Sequence, residues 1–387
     1  MKINKQNFSN FFENIFNHGG KIPNFIRSIL NSKSKELLYQ SLNSNNNLNF
    51  HILNFVPDYF KFDVNQSISK KEVVQYQKAY ASFLGNYNSV DEYIKNQFKK
   101  NARHIFKRKK RLELCFEIEY VKYYGYISKM DYNFLMTSLK IMLERRFKQR
   151  NETNKYLKSW EHLYENTFML IREKKASIFA IFNNKTPIQV SIQSHFGDIM
   201  HSLIIAYDID YSKFSLGNTA VYEQIKWCYI NNYKILDQGY GYLEYKRLWS
   251  NYIYRYKYMI FFNKKSLKSI LRGHVMCFKL NILEYLKSKE FLRVLKDNFL
   301  GTQKATKPLN SLGYKFAFKD LDEEIPLNKL TVFNIEDFSP LKQIVFDFLY
   351  LNASHIDTVQ VFKIDSEIDT FLISGEKKKQ KVIFQKR

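Results

Sequence analysis

Residues 177–241 constrain the fold more than any other stretch of this chain. Ser177–Phe182 is apolar and β-prone, Asn183-Asn184-Lys185 reads as a turn, and Thr186–Ser194 reads as a second strand. His195-Phe196-Gly197-Asp198 turns the chain again into Ile199–Tyr207, giving an antiparallel meander. After 208-DIDYSKFSLGN-218 the period changes. Val221, Ile225 and Cys228 recur at helical spacing and predict a helix over Thr219–Asn231. The short strand Tyr233–Leu236 follows at once and ends in Asp237, before 238-QGYGYLEYKRLW-249. A strand, a helix of about a dozen residues and another strand are the parts of a right-handed parallel crossover. Such units hold ligands beyond the carboxyl ends of their strands, and Asp237 stands at that end.

The stretch 215-SLGN-218 opens the crossover helix. Ser215 is a candidate N-cap, and Gly217 lets a bulky group approach the backbone. The first-turn N–H groups carry partial positive charge and can hold a pyrophosphate. A capped helix with a glycine is also an ordinary structural feature. Its place between the meander and Asp237 is what favours a ligand.

Upstream, the first segment with clear shape is 89-SVDEYIKNQFKKNARHIFKRKKRLELCFEIEY-120. Ile94, Phe98, Ala102, Ile105 and Phe106 mark a buried helical stripe, with Lys95, Lys99, Arg103, Lys107 and Arg111 as a basic ridge beside it. From Leu112 to Tyr120 apolar residues alternate with Glu113, Glu117 and Glu119, which predicts a half-buried strand. The ridge is either a phosphate-binding surface or a solvated face docked against those glutamates. Helices are expected over Asp131–Lys148, with Phe134, Leu135, Leu139, Met142, Leu143 and Phe147 facing the core, and over Tyr156–Lys174. The polar 149-QRNETNK-155 between them reads as an inter-domain linker. Beyond Asn251 come the strand 257-KYMIFF-262, basic helices to about residue 298 and a break at 301–313. Thr331–Ile335, a helix over Pro340–Leu351 capped by Ser339, Val359–Ile364 and Lys381–Gln385 make a small C-terminal α/β unit.

At 387 residues the chain exceeds one ordinary core, and its 45% apolar content excludes a largely disordered protein. Sixty-one Lys and Arg against 37 Asp and Glu leave a net charge of +24, which draws such a chain toward polyanions. A genome rich in A and T also raises lysine, so the distribution of charge has to decide between the two. Cys115, Cys228 and Cys277 are widely spaced and odd in number, which fits a reduced compartment and neither a disulfide framework nor a thiolate metal site. The N-terminus lacks a signal-peptide pattern, and no apolar run has the length of a membrane span. A soluble, cytoplasmic protein is expected. His195 and His201 lack metal-ligand partners, Glu223 and Glu244 read as surface carboxylates, and no metal site, Walker loop or Ser-His-Asp arrangement is found.

Residues 207–249 resemble the core of the CelD/BcsL-type acyltransferases, a branch of the GNAT superfamily related to the FemAB peptidyl transferases. The resemblance rests on Tyr207-Asp208 ending a strand, Ser215-Leu216-Gly217 opening a helix, Asp237-Gln238-Gly239-Tyr240-Gly241, and Tyr245-Lys246. The basic helix with Arg103 and the segment ending 145-RRFK-148 extend it over roughly residues 85–295. Leu216 stands where the family has proline, and Gln238 where an aromatic is common.

The resemblance implies an α/β (α+β) fold of tandem GNAT-like lobes, with mixed, mostly antiparallel sheets flanked by helices. Its expected divisions are 1–150, an acyltransferase domain over 151–300, and the appendage 301–387. It implies transfer of an acyl group from acetyl-CoA or a longer acyl-CoA to an amine or hydroxyl of a sugar, polysaccharide or lipid precursor. The thioester would lie where Ile199–Tyr207 and Tyr233–Leu236 splay apart. Tyr207, Asp208, Ser215, Gly217, Asn218 and Thr219 are the expected cofactor-binding residues, and Gln238, Gly239 and Gly241 the expected acceptor floor. Acyl transfer needs a base, an oxyanion donor and an acid for the leaving thiolate. Asp237 is the candidate base, or at least the group that orients the acceptor, a backbone N–H near Tyr207 the donor, and Tyr245 or Tyr240 the acid. Lys246 would bind an acidic acceptor or anchor Asp237. Two other readings stay open: a Fem-type aminoacyl transferase drawing on charged tRNA through the basic ridge, and a non-catalytic basic scaffold.

Overall fold

The computed structural model describes residues 8–16, 22–41, 48–153, 155–241, 243–289, 314–319 and 325–386. The strands before residue 120 are β1 (Phe8–Asn10), β2 (Ile26–Asn31), β3 (Leu37–Gln40), β4 (Phe50–Val56), β5 (Phe60–Val64), β6 (Ile68–Phe83) and β7 (Ile118–Tyr123). Then come β8 (Ala176–Asn183), β9 (Thr186–Phe196), β10 (Ile199–Tyr207), β11 (Ile235–Tyr240) and β12 (Tyr252–Asn263). The C-terminal strands are β13 (Tyr314–Lys319), β14 (Leu330–Val332), β15 (Gln360–Ile364), β16 (Thr370–Ser374) and β17 (Lys379–Lys386). Helices α1 (Phe11–Phe16), α2 (Val90–Phe98), α3 (Ala102–Cys115), α4 (Lys129–Arg150) and α5 (Lys155–Lys158) lie in the first half. They are followed by α6 (Trp160–Arg172), α7 (Leu216–Ile230), α8 (Glu244–Trp249), α9 (Leu267–Ser288) and α10 (Ser339–Asn352).

Nine strands form one mixed sheet in the order β1-β4-β12-β6-β11-β10-β9-β8-β7. Only β1/β4 and β10/β11 run parallel; the other neighbours are antiparallel. The expected meander and crossover are therefore present as β8-β9-β10-α7-β11. Strand β8 shows why the sequence reads as a near-continuous apolar run. Ile178, Ala180 and Phe182 meet α4 and α6 on one face, while Phe179 and Ile181 meet the start of α7 and α10 on the other. Strands from both sides of residue 150 share this sheet, and the 149–155 stretch joins two helices that pack on the same face. A three-stranded antiparallel sheet, β3-β2-β5, and a five-stranded antiparallel C-terminal sheet, β13-β17-β16-β15-β14, complete the fold. Among the described residues no helix is long and apolar enough to cross a membrane.

Several local expectations are corrected. The strand expected from Leu112 is helix up to Cys115: Leu112 and Cys115, three apart, are buried, while Leu114 is half exposed. The basic ridge is not one helix, because Lys99 has φ 49° and a short 3-10 turn separates α2 from α3. Its neighbour Lys109 pairs with Glu113 of its own helix and, at 3.4 Å, with Glu223, so Glu223 is not a plain surface carboxylate. Phe134 faces outward. Ser339 is the first residue of α10 and makes no side-chain cap, and β16 was not anticipated. The expected break at 301–313, and the first six residues of the loop at 42–49, lie outside the described residues.

Candidate active site

Strands β10 and β11 pair only over Ile199–His201 and Ile235–Asp237. Each then keeps its outer neighbour and bulges, β10 against β9 between Ser202 and Ile204, β11 against β6 between Asp237 and Gly239. A bulge bends its strand, so the two diverge from the same level. Gly239 supplies the backbone for this, with φ +66°, and an added Cβ there would stand 3.0 Å from His201 Cε1. Lys246, from α8, borders the parting: its Nζ donates to the carbonyls of Gln238 (2.7 Å) and Tyr240 (2.8 Å). On the opposite edge the Tyr156 hydroxyl donates to the Leu203 carbonyl at 3.2 Å.

The gap leads to two cavities that share Tyr156, Ser202, Leu203, Gln238 and Lys246. The larger, about 370 Å³, is bounded by Ser202–Ile205 and Tyr207 of β10, by Arg146 and Arg150 of α4, by Tyr245, and by Ser215, Gly217 and Asn218 at the start of α7. The smaller, about 220 Å³, is bounded by His201, Gly239, Tyr240, Phe55, Asn10 and Glu13. Positive charge collects at the larger one. The Arg146 guanidinium lies 4.7 Å over the Tyr207 ring, and Arg108 donates to the Ser215 hydroxyl at 2.9 Å. Ser215 has the left-handed conformation (φ 56°) and makes no side-chain cap, so the expected capping role is not met. Its carbonyl instead accepts from the N–H groups of Asn218 (2.9 Å) and Thr219 (3.2 Å). Asn218 accepts from the Trp249 indole at 2.8 Å, and Gly217 leaves a Cβ position 3.6 Å from the Tyr207 ring.

Asp237 is not where the sequence places it. The bulge carries β11 on through Tyr240, so the acid lies inside the strand, completely buried, and it bounds neither cavity. Tyr59 and Tyr254 hydroxyls donate to Oδ2 at 2.5 Å each, and the Gly239 N–H donates to Oδ1 at 2.6 Å. Burial alone would raise its pKa; His201, Tyr254 and Tyr59 outweigh that and hold it below the ordinary carboxyl value. A carboxylate saturated in this way and cut off from the gap is a poor proton acceptor for an incoming substrate. It fixes the bulge and stands 3.7 Å from His201 Nδ1.

His201, set aside at the level of sequence, borders the smaller cavity together with Glu13, Tyr240 and Lys246. Burial lowers its pKa, with Asp237 opposing, so the imidazole is neutral at neutral pH. Burial raises the Tyr245 phenol to about 12, opposed by Arg146, so it remains a proton donor. Asp208 leaves the cofactor set: it accepts from Arg145 at 2.8 Å and from the Asp210 N–H at 3.1 Å, while Arg145 also bonds Asp210 at 3.1 Å. Thr219 and Gly241 bound neither cavity, and Lys246 holds carbonyls rather than Asp237. Tyr207, Ser215, Gly217, Asn218, Gln238, Gly239, Tyr240, Tyr245 and Lys246 do converge on the gap. Arg146, Arg150, Tyr156 and His201 are the additions. The arginines follow the α4 stripe residues Leu143 and Phe147 by three, a spacing that could have flagged them.

Residues 136–247 match the sequence profile of the family described as Acetyltransferase (GNAT) domain. That span begins within α4, contains the meander, α7 and β11, and ends within α8. No curated protein matches the chain. Among solved structures, FemX aligns with a TM-score of 0.39 at 11% identity, over 54% of this chain and 71% of FemX. L-PGS from Bacillus licheniformis aligns at 0.36 and 9%, over 58% and 72%. A conserved protein of unknown function from Bacteroides thetaiotaomicron aligns at 0.38 and 9%, over 55% and 70%. Likenesses of this size decide nothing about donor or acceptor, and the chain's relation to the acetyltransferase domain rests on the profile match over 136–247.

Proposed function

We propose that this protein transfers an acyl group from an acyl-coenzyme A to an amine or hydroxyl acceptor, a sugar, polysaccharide or lipid precursor. One observation carries the reading: two parallel strands that pair for three residues and then part beside a helix start ringed by arginines. The acetyltransferase domain match over the same segment supports it. In this reading the pantetheine arm lies along the edge of β10 that β11 has left, and the pyrophosphate meets the α7 start with Arg146 and Arg150. The acceptor enters from the smaller cavity. His201, neutral and backed by Asp237, takes the acceptor's proton as its nitrogen or oxygen attacks the thioester carbonyl. Backbone N–H groups freed at the Ser202–Ile204 bulge steady the oxyanion. As the C–S bond breaks, Tyr245 protonates the departing thiolate.

The test is thermal stability of the full chain against coenzyme A, acetyl-CoA and longer acyl-CoAs. A ligand at about 100 times its Kd stabilises the folded state by about 2.7 kcal/mol. The melting temperature should rise with coenzyme A, and Gly217→Leu, which fills the space before Tyr207, should abolish the rise. No shift with any thioester would defeat the reading. A second reading, aminoacyl transfer from charged tRNA, is favoured by the exposed Arg103, Lys107 and Lys110 of α3. It requires salt-sensitive tRNA binding without coenzyme A binding.

A further inference from the structure

We propose that α9 is a docking helix that seats the protein on the surface of an anionic lipid bilayer. This inference is independent of the acyl-transfer reading. The helix presents two unlike faces. Ser269, Gly273, Leu280 and Glu284 point into the protein, and Gly273 sits so close to β12 that an added Cβ would meet the Phe262 ring at 2.5 Å. On the opposite side Leu267, Leu271, Val275, Phe278, Ile282 and Tyr285 follow one another at steps of four and three. That spacing keeps them on one stripe. They are exposed, Leu267 at 85% and Leu271 and Phe278 at 67% each. Soluble surfaces rarely carry so long a run of large apolar side chains without a partner.

The charge around the stripe selects the partner. Residues 264–289 hold seven Lys or Arg and one acid, Glu284. That acid faces inward, accepting from the Tyr76 N–H (2.7 Å), the Tyr258 hydroxyl (3.2 Å) and Lys287 (2.6 Å). At 100° per residue, Lys268, Arg272 and Lys279 fall along one border of the stripe and His274 along the other, where Lys71 lies 3.1 Å from its ring. An apolar stripe bordered by cations is what an interfacial helix needs: side chains enter the acyl boundary while lysine and arginine meet lipid phosphates. A second copy of the chain fits poorly. Two such helices face to face would bring like charges together, with no acid of residues 264–289 on the borders to match them.

Flotation of the full-length protein with phosphatidylcholine vesicles containing about a third phosphatidylglycerol tests this, beside pure phosphatidylcholine vesicles. The anionic vesicles should carry the protein, the neutral ones should not, and added salt should weaken binding. Leu271→Ser with Phe278→Ser leaves every charge in place and should reduce partitioning by about tenfold or more. Its melting temperature should stay that of the parent, because both side chains are exposed. Failure of the parent to float, or equal flotation of the double variant, would overturn the proposal. So would a dimer in sedimentation velocity that the double variant splits while vesicles capture neither form.

Discussion

Among the described residues, strand β10 has a partner on each side from Ile199 to His201, and only β9 from Ser202 onward. At the paired end, Lys122 is enclosed: its Nζ lies 4.2 Å over the Trp227 ring and 3.3 Å from Gln193 Oε1, and burial lowers its pKa to about 7. Beside it, the Ser177 hydroxyl and the His195 imidazole share a buried hydrogen bond of 2.7 Å, with His195 held neutral by burial and by Lys122. At the parted end, Arg146, Arg150 and Lys246 line open space. Polar groups occur at both ends. Where the sheet closes, burial disfavours the charge of Lys122 and His195; where it opens, the cations border a cavity with room for a ligand.

The largest effect that would probe this contrast comes from the group at the junction. Asp237→Ala leaves two buried tyrosine hydroxyls and the Gly239 N–H without their acceptor. It should cost about 3–5 kcal/mol in denaturant unfolding. A loss under about 1 kcal/mol would mean the parting does not depend on this network. Next comes Gly239→Ala, which forces a side chain into φ +66° and against His201, with an expected cost of about 1–3 kcal/mol. Gly217→Ala makes ordinary contact at 3.6 Å and should stay within about 0.5 kcal/mol. Equal costs at the two glycines would erase the distinction between packed junction and open cavity.

At the closed end the signature is pH dependence. The folded pKa of Lys122 lies near 7, below an unfolded value near 10.5, so between these the unfolded chain binds more protons. Stability should therefore rise with pH across that interval. The slope from this group should approach about 1.4 kcal/mol per pH unit, and Lys122→Met should remove it. A parent and variant with parallel profiles from pH 7 to about 10 would show the ammonium to be solvated. The smallest stability effect belongs to Arg150→Gln at the open end, within about 0.5 kcal/mol, while the coenzyme A-induced shift falls. An unchanged shift would exclude Arg150 from the phosphate site.

How much of this the sequence discloses follows from the range of the interactions involved. The meander and the crossover helix are legible because apolar runs and turn residues lie next to one another along the chain, whereas the parting of β10 from β11 is implied only by the family resemblance. Local signals also point to Gly217 at the helix start, while Tyr245 is reached through the resemblance. Asp237 is misread because its surroundings come from far away, Tyr59 lying 178 residues upstream. A bulge also lets β11 run on to Tyr240, past Gly239, which looks like an ending. The strands before residue 89 go unseen for a related reason: the 16-residue β6 carries Lys70, Lys71 and Glu72 in succession near its start, charged on both faces, which hides its period. Leu112 to Tyr120 shows the opposite error, a chance alternation over the end of a helix.

Backbone amide hydrogen exchange along β10, with and without coenzyme A, examines the central claim most directly. Binding should slow exchange within Ser202–Tyr207, the edge that β11 abandons, and leave Ile199–His201 as protected as before. Protection confined to another surface, or none anywhere on saturation with thioester, would contradict a cofactor held between these strands.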